Sequence, residues 1–172
     1  DGIPLAFCIN KGNANEQITM KPLEEKILSD FHLSKFIVCT DAGLASSANR
    51  KFNDKDGRAF ITTQSIKKLK KHLKEWAINP DGWHLSGSED SYDITELDTT
   101  RDKDKIFYKE RWIKEDGLEQ KLVVTYSLKY KEYQESVRNS QIERAQRTID
   151  TRPTKIKKCN SNDYNRFIAR SH

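Results

Sequence analysis

Phe36-Ile37-Val38-Cys39-Thr40-Asp41-Ala42-Gly43-Leu44 is the stretch on which the fold class turns. Four apolar residues run without a polar break, the pattern of a strand covered on both faces, and a small turn containing Gly43 ends it. Residues 46–53 then read as a short helix opened by Ser46 or Ser47, whose hydroxyls suit an N-cap. After the Asp56-Gly57 turn, residues 59–63 form another β-rich run. Ser65 is expected to cap a helix over 66–76, with Ile66, Leu69, Leu73 and Trp76 on its apolar face. Upstream, residues 3–9 make an apolar run of strand length, stopped by Asn10-Lys11-Gly12-Asn13. Between these strands Met20, Leu23, Ile27, Leu28 and Phe31 fall at helical spacing. Pro22 fits only a first turn, so this helix is predicted to start near Met20 with Thr19 as its cap. Strands alternating with helices over 1–76 mark an α/β layer.

The pattern changes after Trp76. Residues 77–104 are polar, acidic and irregular, and read as a loop-rich, partly mobile connection. Residues 105–114 and 121–127 are β-rich runs joined around Asp116-Gly117, a strong hairpin signal. Ile106, Tyr108 and Trp112 alternate on one strand, Leu122, Val124 and Tyr126 on the other. Residues 128–149 lack Gly and Pro and are predicted as a long helix, with Tyr130, Tyr133 and Val137 on one face and Pro153 ending it. A basic tail follows, with a further turn expected at 164–168. The division is therefore 1–76, an α/β core, and 77–172, an α+β region of acidic linker, hairpin, long basic helix and tail.

Composition narrows the class. Of 172 residues, 35 % are hydrophobic and 33 % charged, so the core should be thin. The net charge of +5 is unevenly spread. Residues 81–104 carry eight acids against Arg101 and Lys103, whereas from Tyr126 onward eleven Lys/Arg face five Asp/Glu. The basic end favours a polyanion, the plainer alternative being a solvated surface. Cys8 and Cys39 lie in apolar runs and read as small buried hydrophobes; with Cys159 they show no CxxC spacing, which fits a reducing cytoplasm. No run is long enough for a membrane span, and no signal peptide opens the chain. The start inside an Asp1-Gly2 turn leads us to expect an internal piece of a longer protein.

Asp41 is the residue to single out for chemistry. It follows a buried parallel-type strand, and open α/β sheets place their sites just beyond such strand ends. A carboxylate there, with Gly43 leaving room, can hold a hard cation such as Mg²⁺. A turn or capping aspartate is the alternative. Gly12-Asn13 reads as a turn, and the four histidines lack ligand spacing with the cysteines. Lys67, Lys68, Lys70, Lys71 and Lys74 crowd one helix, either as a solvated face or as cations tracking phosphates. On the long helix, Tyr130 and Tyr133 read first as packing against the hairpin. Arg138, Arg144 and Arg147, followed by Lys155, Lys157 and Lys158, are the candidate contacts to a DNA backbone, with little sequence preference.

Two stretches together carry a family resemblance. Asp1-Gly2-Ile3-Pro4-Leu5-Ala6-Phe7, then Gly12-Asn13, Glu16 and Thr19, precede Phe36-Ile37-Val38-Cys39-Thr40-Asp41-Ala42-Gly43-Leu44 and Asn49. This order resembles the pattern "DG.P..F....GN..E..T" followed by "fiv..D.GL.s..N" of DDE transposases of the insertion-sequence-4 type. The resemblance fades after about residue 76. It implies a partial RNase H-like core with a β-rich insertion, and it matches Asp41 to the second catalytic, metal-binding aspartate. The first aspartate is expected upstream of Asp1. The glutamate is expected downstream, since neither Tyr133-Glu135-Arg138 nor Tyr164-Arg166 fits its pattern. The implied parent cuts transposon ends and joins them to double-stranded target DNA with Mg²⁺, and could act as a dimer on DNA in the cytoplasm. With one of three carboxylates, the chain alone is expected to be inactive and to bind Mg²⁺ weakly or not at all. Another RNase H-like nuclease or recombinase, a non-catalytic basic DNA-binding module and a protein-interaction domain stand as alternatives.

Overall fold

A computed structural model describes residues 4, 6–55, 57–151 and 162–169. They form a mixed α/β chain with two small sheets. Two compact units emerge: Asp1–Asn79 with Arg111–Leu122, and Pro80–Glu110 with Val123–His172. No helix among the described residues is long and apolar enough to cross a membrane.

Unit one begins with α1 (Glu16–Phe31), which starts four residues before the predicted Met20. Asn15 caps it, its side chain accepting from the Gln17 N–H at 3.0 Å, and Glu16 in the first turn complements the helix dipole. Pro22 therefore lies inside the helix, where it withholds the N–H that Ile18 would receive. Thr19 is no cap; its hydroxyl donates to the Glu16 carbonyl at 2.8 Å. Residues 4 and 6–10 form no strand, and Phe7 and Ile9 are exposed. An apolar run becomes a strand only when a neighbour takes up its ladder of hydrogen bonds, and no described segment pairs with this one.

β1 (Phe36–Thr40), α2 (Ser47–Phe52) and β2 (Arg58–Thr62) follow as a parallel strand pair with a helical crossover, in register from Phe36 opposite Arg58 to Thr40 opposite Thr62. Ser46 caps α2 as expected, accepting from the Asn49 N–H. Gly57 has a positive φ of 75°, and a Cβ there would collide with the Ser34 carbonyl oxygen, so the turn into β2 needs glycine. The expectation of cover on both faces fails. Alternation turns Val38 inward but leaves Ile37 65 % and Ile61 64 % exposed. Cys39 shares that bare face and is exposed, as is Cys8, so neither is the buried hydrophobe expected of it.

The helix predicted over 66–76 is broken in two. A 3₁₀ turn (Ile66–Lys68) precedes α3 (Lys71–Ile78), separated by extended backbone at Leu69 and Lys70, and Ser65 makes no side-chain cap. With the break, Leu73 and Ala77 are buried; their packing outweighs the local preference for one continuous helix. The rest of the interior is partly polar. Asn53 is wholly buried and donates through Nδ2 to both carboxylate oxygens of Glu24, at 3.2 and 3.0 Å, tying α2 to α1.

β3 (His84–Leu85), β4 (Phe107–Glu115) and β5 (Leu118–Tyr126) form the second sheet, in that order. Asp116 and Gly117 both have positive φ, 54° and 76°, which is the two-residue hairpin turn that Asp-Gly signals. Residues 111–122 of this hairpin belong to unit one, and its remainder to unit two. The apolar alternation of β4 misleads. Ile106 and Trp112 are exposed, while Phe107, of opposite parity, is fully buried with the Tyr92 ring edge-on at 5.3 Å. On β5 Val124 is buried and Leu122 and Tyr126 half-buried, as the alternation predicts.

The acidic linker is irregular but well bonded. Trp83 and Tyr92 exchange backbone hydrogen bonds, and Asp98 accepts from the Thr100 and Arg101 N–H groups. α4 (Leu128–Thr151) starts on Ser127, whose hydroxyl accepts from the Tyr130 N–H. Tyr130 and Tyr133 are exposed and stand 6.2 Å from each other, instead of packing against the hairpin. Pro153, expected to end this helix, lies outside the described residues. A second 3₁₀ turn (Tyr164–Phe167) packs on α4.

Candidate functional site

Parallel pairing of β1 with β2 brings Thr40 opposite Thr62, and the two hydroxyls bond at 3.1 Å. Thr62 also donates to the Asp41 carbonyl at 3.2 Å, so the backbone that leaves β1 is tied to the neighbouring strand. Asp41 is the first residue past the strand end, and it is exposed. Its Oδ1 accepts from the Gly43 N–H at 2.8 Å, an aspartate turn that fixes the carboxylate over its own loop. A Cβ at Gly43 would lie 3.1 Å from that oxygen, so glycine is what lets the loop close this tightly. The second oxygen, Oδ2, accepts no hydrogen bond among the described residues.

Asn49 anchors the loop from below. It is buried, and its amide donates to the Leu44 carbonyl at 3.0 Å and to the Gln17 carbonyl at 3.1 Å. Leu44 in turn donates its N–H to the Asp41 carbonyl. One side chain thus joins the first turn of α1 to the loop that carries Asp41. Sequence reading singled out Asn49 only as a motif position; its burial and bridging depend on contacts 32 residues apart.

Below this network, burial pushes the Glu24 carboxyl above its ordinary range, against the Asn53 amide and the Arg58 and Lys21 charges. Glu24 is a structural acid, closed off from solvent. Among the described residues no group of three or more His, Cys, Asp or Glu could hold a metal ion. Asp41 offers one hard oxygen donor, and Mg²⁺ takes a near-octahedral set, so the described donors do not complete a magnesium site.

The candidate DNA contacts are dispersed. Arg138, Arg144 and Arg147 are all exposed on α4. At about 100° per residue, however, Arg138 and Arg147 stand roughly half a turn apart. Arg144 lies over the Tyr164 ring, 4.6 Å from its centroid. Five cations of α4 (Lys129, Lys131, Arg138, Arg144, Arg147) are interleaved with Glu132, Glu135, Glu143 and Asp150. Lys155, Lys157 and Lys158 lie outside the described residues. A tighter basic cluster, not assembled by sequence reading, joins Lys70 and His72 to Arg111 and Lys114. Compared with known proteins, the chain matches no family model, no curated protein and no solved structure.

Proposed function

We propose that this chain is an internal part of a DDE transposase of the insertion-sequence-4 type, with a partial RNase H-like core in unit one. In this reading Asp41 is one of three carboxylates that serve Mg²⁺-dependent cutting and joining of DNA. The observation that carries it is the placement of Asp41: first past the end of a strand in a parallel pair, exposed, with Oδ1 fixed and Oδ2 open. The bare apolar face of β1 and β2 is what a layer leaves when further segments complete it.

Phosphoryl transfer of this class uses two ions that activate the attacking hydroxyl and stabilise the leaving oxygen. Asp41 contributes one preset oxygen to such a site, and the loop bonds from Gly43, Thr62 and Asn49 keep that oxygen from wandering. This reading needs two further carboxylates, and none of the described acids joins Asp41 in a group that could hold a metal ion. The purified chain should therefore show no Mg²⁺-dependent cleavage of duplex DNA in a nicking assay. Reproducible nicking that disappears in Asp41→Asn would mean that the missing ligands lie within this chain.

A further inference from the structure

We propose that an open groove beside β4 in unit one is a binding site for the phosphodiester backbone of nucleic acid, read without regard to base sequence. The groove has a volume of about 240 Å³, and its walls include Lys70, His72, Arg111, Trp112, Lys114 and Glu115. All six belong to the same compact unit. Glu115 is the single acid among them, and Lys70 already holds it at 3.3 Å. Arg111 and Lys114 form no ion pair among the described residues. Lys67, Lys68, Lys71 and Lys74 flank the groove in the neighbouring 3₁₀ turn and α3, with only Glu75 between Ile66 and Ile78 to oppose them.

The way the cations are held points to a ligand. Arg111 lies over the Trp76 ring at 5.3 Å. A ring positions a cation while leaving its charge and N–H donors available, whereas a carboxylate neutralises both. Residues of the acidic linker show the opposite arrangement, with Arg101 and Lys105 both closed on Asp102. Cations fixed on rings are preorganised, so less side-chain freedom is lost when phosphate arrives. The guanidinium fork of Arg111 suits two phosphate oxygens at once. Trp112, 63 % exposed, adds an apolar wall suited to the sugar between successive phosphates. No Asn or Gln lines the groove to read base edges, hence the lack of sequence preference. This site shares its partner with the proposed function but none of its residues, so either can fail without the other.

The test is fluorescence anisotropy of the 172-residue chain on a labelled duplex of arbitrary sequence, over a series of KCl concentrations. Each phosphate neutralised on B-DNA contributes about −0.9 to the log–log salt slope. Arg111→Ala with Lys114→Ala should make the slope shallower by roughly 1.8 and weaken binding, while Lys26→Ala, whose lysine is paired with Asp30, leaves both near the parent values. Backbone amide shifts on adding the duplex to the unaltered protein give a second reading that needs no variant. They should concentrate at residues 70–73 and 111–115. An unchanged slope in the folded groove variant, amide shifts confined to α4, or equal affinity for poly-glutamate would each overturn the proposal.

Discussion

Glu24 in unit one and Asp102 in unit two are both nearly closed to solvent, yet their surroundings differ in kind. Glu24 meets a neutral amide, Asn53, and burial raises its pKa. Asp102 meets the Arg101 guanidinium and the Lys105 ammonium at 2.8–3.3 Å, which hold its carboxyl well below the usual range. Among the cations, unit two closes Arg101, Lys103, Lys105 and Lys129 on acids; unit one does the same with Lys26, Lys70 and Lys71, while its Arg111 rests on the Trp76 ring. Unit two uses its charges to hold an irregular linker in one shape. Unit one leaves Arg111 and Lys114 outside any ion pair among the described residues, and it leaves one face of its strand pair bare.

The largest effect separates the two interiors. Phe107 is fully buried in unit two, and Phe107→Ala should cost about 3–5 kcal/mol in urea unfolding. Ile37 on the bare face of unit one should cost under ~1 kcal/mol when cut to Ala, because most of its surface is already in water. A loss of several kcal/mol at Ile37 would mean that the face is covered in solution, and would erase this half of the comparison.

The two acids should respond to pH with opposite sign. The raised pKa of Glu24 means that the fold binds its proton more tightly than the unfolded chain does. Its contribution is full below about pH 4.3, the unfolded value, and is lost as pH rises through the folded value. The lowered pKa of Asp102 gives a contribution present above about pH 4 and lost as pH falls below it. Glu24→Gln should therefore be neutral or stabilising at pH 7, by up to about 1 kcal/mol, since it removes the charge that burial penalises while its remaining amide oxygen can still accept from Asn53 Nδ2. Asp102→Asn should lower the melting temperature at pH 7 and flatten its fall in acid. Melting curves from pH 3 to 8 measure both, and matching slopes for the two variants would contradict the assigned environments.

What was legible in the sequence was local. Ser46, Asp116-Gly117 and the end of β1 at Asp41 are each decided by a few neighbouring residues, and each lies where the sequence put it. What was illegible depended on distant partners. Cys39 reads as buried in its apolar run, but only a second layer could cover it. The β4 alternation hid Phe107 because Tyr92, fifteen residues upstream, decides which parity faces inward. The break at Leu69-Lys70 answers to the burial of Leu73 and Ala77, and the groove formed with Arg111 and Lys114 follows from it. Candidate chemistry was therefore readable at Asp41, one loop past one strand, and unreadable where two segments forty residues apart converge.

Strand transfer of transposon-end DNA in Mg²⁺ by the complete reading frame containing this chain tests the central claim most directly, comparing the parent with Asp41→Asn. The account predicts a loss of at least about two orders of magnitude in rate, the scale seen when one preset electrostatic group is removed from an active site. Binding to the same DNA should be unchanged, because Asp41 lies at a strand end and outside the cationic groove. A parental rate in the Asp41→Asn protein would contradict the account, leaving Asp41 as a turn residue and the chain without its assigned chemistry.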